Sequence, residues 1–80
     1  MTSTIASELQ ELVSIYENFL PKSDVDSIKE LVSVNEYAVA FENFCTQLFE
    51  YDVVVSQADK HRFEVLGTEM RVDPSLWLDL

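Results

Sequence analysis

Residues 36–52 read EYAVAFENFCTQLFEYD, and they hold five of the chain's aromatic residues together with its only cysteine. Projected at about 100° per residue, Tyr37, Ala38, Phe41, Phe44, Cys45, Leu48, Phe49 and Tyr51 fall on one continuous arc. Glu36, Glu42, Asn43, Thr46, Gln47 and Glu50 fall opposite, and only Val39 and Ala40 break the sorting. A half-buried strand would alternate instead. With a wide apolar face and neither Pro nor Gly, the stretch reads as the central helix of a small bundle.

Ahead of it, Ile5, Leu9, Leu12, Tyr16 and Phe19 recur at spacings of four and three, with Val13 and Leu20 widening the stripe. This predicts a first helix, capped by Ser3 or Thr4, with Glu8 and Glu11 near its positive end. Pro21 should terminate it, because the residue before a proline is pushed out of the helical region. Ser23 followed by Asp26 resembles a capping box and opens a second helix, whose buried face is Val25, Ile28, Leu31 and Val32. Val34 and Asn35 should close it, since Asn tolerates the left-handed conformation.

Beyond the central helix, the β-branched run Val53, Val54 and Val55 suits an extended crossing. Ser56 with Asp59 starts a fourth helix that turns Phe63, Leu66 and Met70 inward and Val65 elsewhere. Gly67 inside it argues for close approach of another element. Asp73 and Pro74 stop that helix, and Leu76, Trp77, Leu78 and Leu80 are dense enough to form a final packed turn. The expected fold is therefore all-α: a small four-helix bundle with a short C-terminal turn packed on it, residues 1–80 forming one domain.

Charge is the unusual global property. Five Lys and Arg stand against 15 Asp and Glu, a formal net charge of −10. Such a surface repels itself and favours a basic partner, while nucleic acid and anionic membranes are disfavoured as direct ligands. One cysteine forms no internal disulfide, and Cys45 in the middle of the apolar arc reads as a small buried hydrophobe. The segment MTSTIASELQ lacks a positive leader-like region, and no apolar run approaches a membrane span, so the expectation is cytoplasmic residence.

Catalytic signatures are sparse. One His and one Cys do not make a metal site. Asp24 and Asp26 begin like a calcium loop, yet Lys29 stands where that loop requires Gly. A Cys45/His61 nucleophile pair would set its thiol in the densest part of the core, the acids single out no pair, and one glycine builds no phosphate loop. The chain is expected to have no enzymatic activity and no cofactor. One rival reading comes from Asp26-Ser27-Ile28, which is similar to the site at which acyl carrier proteins take phosphopantetheine on the serine. Against it, the segment Pro21 to Asp26 is short and the usual preceding glycine is absent. A small scaffold or homodimer subunit is the other alternative.

From Leu20 to Leu80, about three quarters of the chain, the sequence resembles the MafI family of bacterial toxin-immunity proteins. The likeness is carried by Glu36-Tyr37, Ala40-Phe41-Glu42, Cys45 with Gln47-Leu48, Glu50-Tyr51-Asp52, Leu66-Gly67, and Asp73-Pro74 with Trp77. Asn35 stands where Gly would be expected. The resemblance implies a small helical protein made beside a secreted polymorphic toxin, often a nuclease, whose cognate toxin domain it binds and neutralises. The implied partner is basic, an RNase or DNase domain. The expected partner-binding residues are Glu36, Glu42, Glu50, Tyr51 and Asp52 on and after the central helix, with Asp59 and Asp73 as further contributors.

Overall fold

A computed structural model of the chain describes residues 4–80. Helices span α1 Thr4–Tyr16, α2 Lys22–Ser33, α3 Tyr37–Glu50, α4 Gln57–Glu69 and the short α5 Ser75–Leu78, with a 3-10 turn at Glu17–Phe19. Among the described residues there is no strand. This is the expected all-α bundle of four helices closed by a C-terminal turn. The possible cap at Ser3 lies outside the described residues.

Helix α3 is the hub and packs against α1, α2 and α5. Its Ala40, Phe41, Phe44, Cys45 and Leu48, each at 0% exposure, form one stripe at spacings of three and four. Phe63 of α4 inserts between two of these rings, with centroids 5.7 Å from Phe41 and 5.5 Å from Phe44, and Trp77 of α5 meets Phe41 edge-on at 6.0 Å. Tilted aromatic packing of this kind adds about 0.5–1.5 kcal/mol per pair beyond the burial of area. Leu9 and Leu12 of α1 and Ile28 of α2 are also fully or almost fully buried in this core.

Three helices end in the same way. Asn35, Asp52 and Arg71 adopt φ of 65°, 52° and 58° just past α2, α3 and α4. The next N–H then reaches back: Glu36 to the Leu31 carbonyl, Val53 to Leu48 and Val72 to Gly67, each at 2.9 Å. With the bonds Asn35 to Val32, Asp52 to Phe49 and Arg71 to Thr68, each is a complete Schellman cap. Asn35 was foreseeable from residue type. Arg71 was not, since arginine has no special tolerance for the left-handed region.

Local differences from the sequence reading have clear causes. Helix α1 stops at Tyr16, and the tighter 3-10 turn changes the angular register, so that Leu20 is buried at 8% while Phe19 is left 66% exposed. Helix α2 starts one residue before the expected capping serine, with Pro21 at the N-cap; its carbonyl accepts from the Asp24 and Val25 N–H groups. Ser23 makes no capping bond. The α4 start is as expected, with the Ser56 hydroxyl accepting from the Asp59 N–H at 3.1 Å. On α3 the buried stripe is narrower and rotated: Ala40 joins the core, while Phe49 and Tyr51 lie past its edge and face solvent.

Candidate functional site

The exposed carboxylates of α3 and its flanks sit in a part of the chain that has no cation. Between Lys29 and Lys60 no Lys or Arg occurs. Glu36 precedes α3, Glu42 lies on its outer face, and Glu50 is its last residue; all three are exposed. A helix rises about 1.5 Å per residue, so Glu36 and Glu50 stand roughly 20 Å apart along the α3 axis. Asp52 follows at the left-handed cap. None of these four acids forms an ion pair among the described residues. Tyr51 is half exposed, its hydroxyl 3.5 Å from Asp24 Oδ2.

Five acids elsewhere are ion-paired. Arg62 of α4 reaches Glu8 at 3.2 Å and Glu11 at 3.3 Å on α1, and lies 3.7 Å from Asp59. Lys29 pairs with Glu17 at 2.7 Å and Lys22 with Asp26 at 2.9 Å. What sets α3 and its flanks apart is that their carboxylates are unpaired among the described residues and that no Lys or Arg occurs between Lys29 and Lys60. The field of such carboxylates steers a basic partner and falls with salt, since exposed charges interact over about a 10 Å screening length at 0.1 M.

Asp59 and Asp73, grouped with the α3 acids in the sequence reading, have local structural employment. Tyr16 donates its hydroxyl hydrogen to Asp59 Oδ2 at 2.5 Å and accepts from the Ser56 N–H at 3.3 Å, tying α1 to the start of α4. Burial, and next the Asp59 carboxylate that holds its proton, raise the Tyr16 phenol above its usual 10.0. Nothing in the sequence marked this pairing across 43 residues. Asp73 is exposed and accepts from the Ser75 N–H at 3.0 Å, which lowers its carboxyl pKa and organises the entry to α5.

The residues weighed for chemistry are dispersed. Cys45 is fully buried and desolvation pushes its thiol up to about 12, with Glu42 adding to the shift. His61 is exposed on α4, and Ser27 is exposed in the second turn of α2. Among the described residues no group of three His, Cys, Asp or Glu is placed to hold a metal ion, and no helix is long and apolar enough to cross a membrane.

The sequence reading missed the apolar companion of the acidic edge. Phe49 is 57% exposed and Val54 88% exposed beside the C-terminal end of α3. Their burial was decided by helix register and by the path of the chain after α3, neither of which residue type reveals. No protein-family model, no curated protein and no solved structure matches this chain.

Proposed function

We propose that the chain is an immunity protein that binds and neutralises a cognate secreted toxin domain, shielding a basic active-site region with the acidic surface of α3. The observation that carries this reading is the row Glu36, Glu42, Glu50 and Asp52, four carboxylates without an ion-pair partner among the described residues and without a Lys or Arg in their stretch of chain. A domain of this size ordinarily intersperses charges of both signs. The resemblance of residues 20–80 to MafI immunity proteins supplies the class of partner, a nuclease toxin. A nuclease concentrates positive charge where it holds phosphates, and an acidic helical face competes for that charge without any catalysis of its own. Residence in the cytoplasm of the producing bacterium belongs to the same proposal.

The test is co-expression of the tagged chain with the product of the adjacent toxin-like reading frame, followed by affinity purification, intact-mass measurement and counting of surviving cells. Co-elution of a basic domain that kills cells only when this chain is absent is the expected result. Recovery of the chain alone with a phosphopantetheine-sized mass increase on Ser27 would replace the proposal with a carrier function.

A further inference from the structure

The end of α3, the valine segment and the last two residues enclose an open hollow of about 260 Å³. Its apolar wall includes Phe49, Val54 and Leu80, and its rim carries Asp52 and Asp79. Val54 is 88% exposed although it is β-branched and wholly apolar. Isolated exposed apolar residues are common on proteins; here two large ones face the same hollow. The main chain is unoccupied there too. Among the described residues, the N–H groups of Val54 and Val55 and the carbonyls of Val53, Val54 and Val55 make no hydrogen bond. Val53–Val55 belong to no helix or strand, and such a main chain with free donors and acceptors is a template on which an extended segment can pair.

We infer that this hollow docks an extended segment of a protein partner that alternates basic and apolar residues and runs beside Val53–Val55. The apolar side chains fill the space between Phe49, Val54 and Leu80, and the cations meet Asp52 and Asp79. A second copy of this chain is a poor occupant, because pairing two such hollows would bring Asp52 and Asp79 of both copies together in a protein of net charge −10. The inference rests on the proposal that the chain binds a basic protein, and adds to it the anchor that long-range charge lacks: specificity comes from a few buried contacts, while charge mainly sets the encounter rate.

The probe is a short, end-blocked peptide of alternating Lys and Val, titrated into the isotope-labelled full chain and followed by amide chemical shifts. Peptides of alternating Lys and Ser and of alternating Glu and Val serve as comparisons. The expected result is saturable shifts centred on Phe49, Val54, Val55 and Leu80 for the Lys/Val peptide alone. Affinity should fall at least about tenfold in Val54→Lys and stay level in Val65→Lys, which changes an exposed valine on α4. Both positions face solvent, so a melting curve should find both variants folded. Equal response to the Lys/Ser peptide, or shifts spread over the acids of the other helices, would overturn the hollow and leave the proposed binding of a basic domain standing. No response to the Lys/Val peptide, or a wild-type dimer that Val54→Lys dissociates, would overturn it as well, while co-expression still judges the immunity function independently.

Discussion

Gly67 of α4 lies against the six-membered ring of the Trp77 indole so closely that a Cβ at position 67 would stand under 3.0 Å from three of its atoms. Trp77 is 5% exposed and also packs on Phe41 of α3, which hinders its retreat on that side. The one glycine in the chain is thus the notch through which α5 fastens to the bundle.

Gly67→Ala should lower stability by up to about 2 kcal/mol, because overpacking of about 1–3 kcal/mol is set against the roughly 1 kcal/mol that alanine gains in helix propensity. In a Trp77→Leu background the same change should become neutral or stabilising. Urea unfolding of the four proteins in this cycle reads the coupling, and additivity of the two substitutions would contradict the notch.

Tyr16→Phe removes the donor to Asp59 and the acceptor for the Ser56 N–H in a half-buried setting, and should cost about 1–3 kcal/mol. Asp59→Ala should cost a similar amount, and the double variant less than the sum. The folded phenol pKa is raised, so its contribution is complete below pH 10 and is lost as pH rises through the folded value. The stability gap between wild type and Tyr16→Phe should therefore narrow in strong alkali.

Cys45 should resist thiol reagents in the folded protein and react only on unfolding, since its thiol is held near 12 and is fully buried. Labelling rates in increasing urea should follow the unfolding curve. Because the folded pKa lies above the ordinary 9.0, the unfolded chain alone ionises between these values, and stability should fall as pH rises from about 9. Fast labelling in the absence of denaturant would show that the core opens locally at α3.

For the proposed toxin partner, reversing Glu42 and Glu50 to Lys should slow association by about tenfold or more at low ionic strength and flatten its salt dependence, with a smaller effect on dissociation. Stopped-flow association at two salt concentrations measures this. Unchanged rates in both would remove the outer face of α3 from the interface.

Asp52 is both the left-handed cap of α3 and a rim carboxylate of the hollow. Asp52→Gly should raise stability by about 1 kcal/mol, since a non-glycine residue pays roughly 1–2 kcal/mol in this conformation, with Asp toward the lower end. Binding of the Lys/Val peptide should weaken in the same variant. A loss of stability instead would mean that the Asp52 side chain contributes more to the cap than its backbone angle costs.

The helical architecture was legible because apolar spacing, Asn35 and Ser56 acted locally; Pro21 and Pro74, expected to stop the first and fourth helices, instead precede α2 and α5, and α1 and α4 end earlier, at Tyr16 and Glu69. Gly67 even pointed to a close approach, though not to Trp77 as its cause. What escaped depended on pieces distant in sequence. Phe49 and Ala40 exchanged their expected environments once neighbouring helices fixed the rotation of α3, and Asp59 turned to Tyr16 instead of solvent. The acids of α3 could be named as exposed from periodicity, but the hollow beside them exists only where residues 49–55 and 79–80 meet.

The absence of lysine from Glu30 to Asp59 has a practical corollary. Reagents that modify amines, whether for surface immobilisation, fluorescent tagging or cross-linking, find their lysine targets on α2 and α4, at Lys22, Lys29 and Lys60, and none on α3 or the valine segment. Carboxyl-activating reagents find targets on all four long helices and consume Glu42, Glu50 and Asp52 among them. The protein attached to a sensor chip through its lysines therefore presents its acidic edge chemically intact, whereas attachment through its carboxylates destroys the surface to be measured.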